Sequence, residues 1–146
     1  MREGTFVLDR MGMEALGREV AAELSPGGRV FLRGGLGSGK STLARAVLKA
    51  MGVTGAIPSP SFVMDAVYDL PRMQVHHMDL YRLSGDPLEL AMLGFDEILD
   101  SDAVVIVEWA DRIKGLGDVP GIHIGLRCVS DPSLREVSVA RRLAGD

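Results

Sequence analysis

Arg29 to Met51 reads RVFLRGGLGSGKSTLARAVLKAM, and the reading of this stretch decides the fold. Val30, Phe31 and Leu32 make a short apolar run suited to a buried strand. The run breaks into Gly34-Gly35-Leu36-Gly37-Ser38-Gly39-Lys40-Ser41, which fits the G-x-x-x-x-G-K-[ST] pattern of a phosphate-binding loop. Beyond it, Leu43, Ala44, Val47, Leu48 and Met51 recur at helical spacing, and Gly52 follows as a stop. Strand, glycine loop and helix in that order form the context that separates such a loop from a glycine-rich turn carrying Lys-Ser.

Each residue type has a physical reason to be there. Glycines let the backbone approach phosphate oxygens closely and adopt conformations that other residues avoid. Successive N–H groups then line an anion nest, to which the helix N-terminus adds positive potential. In this arrangement Lys40 reaches the β- and γ-phosphates and the Ser41 hydroxyl ligates Mg²⁺. The expectation is a nucleotide-binding protein.

Outward from the loop, the 146 residues suit one domain, 1–146, with a sizeable core. Hydrophobic content of 47% and charged content of 25% are ordinary for a globular chain. A net charge of −4 with no basic block gives no reason to expect tight autonomous nucleic-acid binding. No apolar run has the length of a membrane span, and MREGTFVLDR lacks a secretion signal. The single Cys128 cannot form an internal disulfide and reads as a small apolar strand residue. Together these lead to the expectation of a cytoplasmic protein.

In chain order, Gly4 to Leu8 suits a first strand. Met13, Leu16, Val20, Ala21 and Leu24 mark an amphipathic helix ended by Ser25-Pro26-Gly27-Gly28. After Gly52, Pro58-Ser59-Pro60-Ser61-Phe62 is held extended by its prolines. Ser59 and Ser61 there admit two readings, hydroxyls aimed at a phosphate or metal, or a plain surface loop. Phe62 to Tyr68 and Met73 to about Tyr81 read as a hairpin turned by Asp69-Leu70-Pro71-Arg72. On its second strand, His77 and Asp79 share a face, which places Asp79 near a nucleotide metal or leaves it a polar strand end. Asp86-Pro87-Leu88-Glu89 starts a short helix, with a cap, a first-turn proline and an acidic residue three positions on. It stops at Gly94, and Phe95 to Leu99 adds another turn.

Ala103 to Val107 is apolar at every position, as in a central parallel strand covered on both faces, and it ends in Glu108-Trp109. Ligands of open α/β sheets bind beyond the carboxyl ends of such strands. Glu108 is therefore a candidate for binding Mg²⁺ or orienting an attacking water, against the plainer reading of a solvated carboxylate. Ala110 to Lys114 suits a short helix. Ile122, Ile124, Leu126 and Cys128 alternate with His123, Gly125, Arg127 and Val129, and Leu134 to Arg141 returns as a last strand. The fold class is thus α/β, P-loop NTPase-like. A central mixed, mostly parallel sheet is flanked by helices, with a C-terminal antiparallel hairpin.

GGLGSGKST, SPSF, HHMDLYRL and VIVEWADR follow one another in this order. The set resembles the TsaE (YjeE) family, small bacterial ATPases of tRNA threonylcarbamoyladenosine biosynthesis. The resemblance implies ATP and Mg²⁺ as cofactors and the TsaD and TsaB proteins as partners. It also implies a role in driving or resetting the modification of the tRNA adenosine next to the anticodon, with tRNA met only through the complex. Carried onto this chain, Gly34, Gly35 and Leu36 to Thr42 (Gly37, Ser38, Gly39, Lys40 and Ser41 between) cradle the phosphates. Ser41 and Glu108 hold Mg²⁺, and Asp79 sits near the metal and the attacking water, so that Glu108, Asp79 and Lys40 carry catalysis. Ser59, Pro60, Ser61 and Phe62 correspond to a switch-like loop. Trp109, Tyr81 and Arg82 have partner or structural roles, and the start of the first helix and Ser130–Arg135 border the adenine.

Two positions depart from the family pattern. Gly35 stands where the family usually has Asp, and Ser41 replaces the commoner Thr while keeping the hydroxyl. Hydrolysis gains much from an added arginine. Arg82 and Arg112 are candidates in cis, and turnover is expected to be weak alone and stimulated by partners. Two other classes share the loop. A small-molecule kinase needs a long arginine-bearing lid, which this chain lacks, and a nucleotide-dependent binding module needs no hydrolysis.

Overall fold

Two strands form the middle of the molecule because neither presents a side chain that requires open water. In β2 (Arg29–Arg33) the first four residues are buried, and in β5 (Val104–Glu108) all five are. They pair in parallel, Val30 beside Ile106 and Leu32 beside Glu108. The computed structural model describes residues 2–57, 64–84 and 86–144. Within them β1 (Gly4–Leu8), β3 (Asp65–Asp69), β4 (Gln74–Asp79), β6 (Gly121–Cys128) and β7 (Arg135–Arg142) complete one sheet, in the order β1-β7-β6-β2-β5-β4-β3. β6, β2, β5 and β4 run parallel; β3 on one margin, and β7 and β1 on the other, pair antiparallel. This is the mixed, mostly parallel sheet with a C-terminal hairpin that the sequence implies.

Strand alternation divides the core in two. Val30, Leu32, Val104, Ile106, Ile122, Ile124, Val137 and Val139 face α1 (Arg10–Glu23) and α2 (Lys40–Met51). Phe31, Met78, Leu80, Val105 and Val107 face the opposite layer, made by α3 (Pro87–Leu93), α4 (Phe95–Asp100) and two single 3₁₀ turns. Each fully buried Val, Leu, Ile or Phe is worth roughly 1.5–3 kcal/mol relative to exposure. The helices begin and end where their caps dictate. Asp9 Oδ1 accepts from Gly12 N at 2.8 Å, and Gly52 closes α2 in the left-handed region with its N–H on the Leu48 and Lys49 carbonyls. α1 and α2 cross at Gly17, where an added Cβ would lie 2.5 Å from Ala46 Cβ.

Several local expectations shift. β4 stops at Asp79, short of Tyr81, because Asp79 Oδ1 accepts from Tyr81 N at 2.9 Å and Leu83 N bonds Leu80 O at 3.0 Å, curling the chain away. Glu89 does not close back on the Asp86 N–H. Its carboxylate takes Ser84 N at 3.1 Å and Ser84 Oγ at 2.9 Å, while Asp86 caps Leu88 N at 2.9 Å. The helix expected over 110–114 is only a 3₁₀ turn, Ala110–Arg112, because Ile113 is already extended. Cys128 is exposed, since β6 has run past its covering helix by Arg127. The proposed switch-like loop, Ser59, Pro60, Ser61 and Phe62, lies outside the described residues. No helix among the described residues is long and apolar enough to cross a membrane.

Candidate functional site

The loop after β2 turns on two glycines, Gly34 and Gly39, whose conformation and surroundings exclude a side chain. Gly34 has φ 153°, and a Cβ there would lie 2.4 Å from Leu126 O and 2.6 Å from Ser38 Oγ. Gly39, at φ 103°, caps α2 with no side-chain oxygen spent on its first N–H groups, which therefore stay available to an anion. Ser38 is buried inside the loop and closes it with Ser38 N on Gly35 O at 3.2 Å. Arg135 reaches from the hairpin to hold the loop, its Nε donating to Gly37 O at 3.2 Å.

Lys40, only 5% exposed, folds back over this loop. Its Nζ donates to Gly34 O at 2.6 Å and Gly35 O at 2.8 Å and lies 3.8 Å from the centroid of the Trp109 ring. Burial pushes the ammonium below the usual lysine range, opposed by the charges of Glu108, Asp111 and Asp79. The amine is thus stored on weak acceptors, next to a cavity of 420 Å³ lined by the loop, Asp79, Glu108, Trp109, Tyr81 and Arg82.

Parallel pairing sets Asp79 beside Glu108 at the carboxyl ends of β4 and β5. Glu108 is 1% exposed and its two oxygens are divided. Oε1 accepts from Ser41 Oγ at 2.8 Å, and Oε2 lies 2.5 Å from His77 Nε2. A hydroxyl and a carboxylate oxygen are the hard donors that Mg²⁺ prefers. Adjacent ligands of an octahedral ion with bonds of 2.0–2.1 Å stand about 2.9 Å apart, so the Ser41–Glu108 separation fits that edge without rearrangement. Among the described residues no group of three or more His, Cys, Asp or Glu is placed to hold a metal. An ion here must therefore complete its shell with phosphate and water, as Mg²⁺ usually does.

Trp109 leaves the strand in the left-handed region, at φ 60°, and this turns its ring back over the loop. Tyr81 packs against it at 4.9 Å, and the Arg112 guanidinium lies 5.2 Å from the Trp109 centroid and 5.4 Å from that of Tyr81. Of the two arginines singled out from sequence, Arg82 lines the cavity, whereas Arg112 stacks on these rings. Arg45 and Arg135 also line it; sequence reasoning missed Arg45 and had Arg135 only at the end of the segment expected to border the adenine. Arg45 could have been found, four positions after Ser41 on the same helical face; the contact of Arg135 with the loop depends on hairpin register and could not. A second cavity, of 500 Å³, shares Gly39, Thr42, Arg45 and Arg135 with the first and is bounded by Asp9, Met13, Pro132 and Ser133. The structure thus brings the start of α1 and the 130–135 turn together beside the loop.

With this geometry in hand, residues 8–137 match the family model described as threonylcarbamoyl adenosine biosynthesis protein TsaE. The chain belongs to the TsaE family. Proteins bearing the name tRNA threonylcarbamoyladenosine biosynthesis protein TsaE are its relatives in several bacteria. The one from Streptomyces coelicolor is 44% identical over 103 residues, 68% of each chain. The one from Haemophilus influenzae is 36% identical over 87 residues, 60% of this chain and 54% of its own length. That from Rickettsia bellii is 37% identical over 112 residues, 76% of each. The crystal structure of Bacillus subtilis YdiB superposes with a TM-score of 0.74, covering 96% of this chain and 86% of its own, at 23% identity. That likeness shows the fold, and the TsaE sequence relatives show the family, whose name refers to tRNA threonylcarbamoyladenosine biosynthesis.

Proposed function

We propose that this chain is a Mg²⁺-dependent ATPase of tRNA threonylcarbamoyladenosine biosynthesis, weak alone and stimulated by TsaD and TsaB. The observation that carries the reading is the Ser41 Oγ–Glu108 Oε1 contact of 2.8 Å at the mouth of the glycine loop. It joins the hydroxyl of the phosphate-loop motif to the acidic end of the central strand.

In this reading the loop N–H groups from Leu36 to Thr42 bind the phosphate oxygens. Lys40 leaves the Gly34 and Gly35 carbonyls, which are poorer partners for a cation than a phosphate, and turns to the β- and γ-phosphates. Ser41 and Glu108 would hold Mg²⁺, which would supply neutralisation of the phosphate charge. Asp79, at the same strand-end level as Glu108, flanks the position of an attacking water. Arg82, Arg45 and Arg135 line the cavity, yet Arg135 is already engaged with Gly37 O, Pro132 O and Leu134 O. In this reading an arginine aimed at the γ-phosphate only in the complex accounts for the stimulation, since such a group is worth about 10³–10⁵ in rate.

The test is phosphate release from ATP by the purified chain, alone and with TsaD and TsaB. Low basal release that rises with the pair is expected, as is loss of that turnover in Glu108→Ala with ATP binding retained. Full turnover in the Glu108→Ala chain removes Glu108 from the mechanism. Absence of any response to the pair moves the reading to a nucleotide-dependent binding module.

A further inference from the structure

His77 is left without a task by the phosphate-loop reading, although it is as deeply buried as any side chain in the sheet. It sits on β4 opposite Ile106, two residues before the Asp79–Glu108 pair and on the same face. The ring is 0% exposed, and its single polar contact among the described residues is Nε2 to Glu108 Oε2, at 2.5 Å. We propose that His77 is a positioning residue, whose Nε2–H pins Oε2 of Glu108 so that Oε1 is held on the Ser41 side of the cavity. The proposal rests on the reading of Ser41 and Glu108 as the magnesium-holding pair.

The hydrogen-bonding inventory makes the contact directional. An ionised carboxylate can only accept, so the proton of the contact belongs to the imidazole Nε2. His77 Nδ1 is buried with no hydrogen-bond partner among the described residues. With the single proton of the neutral ring on Nε2, Nδ1 carries only a lone pair, and an N–H placed there would be an unmet donor. The site therefore selects the Nε2–H tautomer and makes His77 a donor of one bond in one direction. Glu108 is 1% exposed, so bulk solvent does not reach it freely to replace that donor. Without it the carboxylate must rotate to carry both oxygens toward the cavity, and the aim of Oε1 at Ser41 is lost. Hydrogen bonds to ligating carboxylates tune metal sites in this manner, and their removal typically weakens metal affinity about 10–100-fold.

The experiment compares the natural chain with His77→Leu, which removes the donor, and His77→Gln, which keeps an N–H. ADP binding is measured calorimetrically in EDTA and across a Mg²⁺ titration, with thermal melting to establish folding. The expected result is ADP affinity in EDTA within about twofold for all three chains. The Mg²⁺ concentration giving half the effect should rise about 10–100-fold in His77→Leu and recover most of the way in His77→Gln. An unmoved Mg²⁺ response in a folded His77→Leu chain overturns the proposal. A second readout needs no destabilised variant. In the ¹⁵N spectrum of the natural chain, one of its three histidines, assigned by its loss in His77→Gln, should carry its proton on Nε2 and shift on Glu108→Gln substitution. A proton on Nδ1, or indifference to Glu108→Gln, overturns it as well. Should the natural chain bind ADP with no response to Mg²⁺, the magnesium reading of the site falls, while the tautomer spectrum still reports whether His77 holds Glu108.

Discussion

Replacing Gly17 with Ala should destabilise this protein, although the same change in an exposed helix interior would stabilise it. Glycine in a helix costs about 0.8–1.0 kcal/mol relative to alanine, so local propensity favours the substitution. At this position the new Cβ would stand 2.5 Å from Ala46 Cβ, 3.0 Å from the Ala46 carbonyl carbon and 3.1 Å from Val47 N. Carbon atoms prefer about 3.5–4.0 Å, and two of the three obstacles are backbone that cannot swing aside. The helices must part by about 1 Å, and overpacking of this kind costs typically about 1–3 kcal/mol. The three simultaneous contacts put this case at the upper end, which leaves a net loss of about 2 kcal/mol after the propensity gain. For a chain of this size that corresponds to a melting temperature lower by about 4–8 °C. Thermal and urea unfolding of four chains form the assay: natural, Gly17→Ala, Ala46→Gly and the double variant. Ala46→Gly removes the nearest contact and leaves the two backbone ones, so the double variant should recover only part of the loss, a coupling of about 1 kcal/mol. A Gly17→Ala chain that melts higher than the natural one refutes the reasoning. Because α2 carries Lys40 and Ser41 at its start, the same variant should also loosen phosphate binding.

Arg29 is buried, and its guanidinium donates to the carbonyls of Ala103, Ser101 and Leu99 where the chain enters β5. Arg29→Met leaves one fully buried and two half-buried carbonyls unmet, for a loss of about 3–5 kcal/mol in urea unfolding; a loss below about 1 kcal/mol contradicts the assignment. A Cβ added at Gly35 would meet no atom of the described residues within 4 Å, and the backbone there has no positive φ, so Gly35→Asp should leave stability within about 0.5 kcal/mol. A drop above about 2 kcal/mol would show that the loop cannot carry a side chain there. Burial holds His123 below the usual imidazole range, with Arg33 donating to Nδ1 at 2.9 Å and Nε2 on Val119 O at 2.7 Å. Its folded pKa therefore lies under its unfolded one, and the unfolded chain takes up the proton first on acidification. This contribution to stability is present above about pH 6.5 and is lost as the pH falls through the folded value. His123→Phe, which keeps the stacking on Phe31, should flatten the decline in urea stability between pH 7 and 5; an unchanged decline excludes His123 as its source.

What the sequence made legible is what local chemistry determines. The glycine loop, the caps Asp86 and Gly94 and the all-apolar run ending in Glu108 each state their structure within a few residues, and all of them hold. The contacts that complete the site are of another kind. Asp79 meets Glu108, and His77 meets it from behind, only because β4 and β5 pair in one particular parallel register. The alternation of His77 and Asp79 shows that they share a face, yet not which strand lies next to that face. The hold of Arg135 on Gly37 gave no signal, since it depends on a hairpin register and a loop on another strand. Where local reading went astray, a side-chain bond intervened: Asp79 curls the chain at Tyr81, and Glu89 turns to Ser84. Periodicity placed Cys128 on the covered face but carries no information about where the covering helix ends.

The clamp of Arg135 on Gly37 O spans 98 positions of chain, and Leu126, whose carbonyl crowds Gly34, is also a late arrival. A polypeptide leaving the ribosome therefore displays the entire glycine motif long before the residues that hold it in shape have been made. Sequence-distant contacts of this kind form late, because the closure entropy of the intervening chain must be met first. A nascent chain arrested ahead of β7 has the signature without the clamp. Retention of a phosphate ligand by such arrested chains should begin only after Arg135 emerges, so that ligand capture marks the arrival of β7 and not the appearance of the motif.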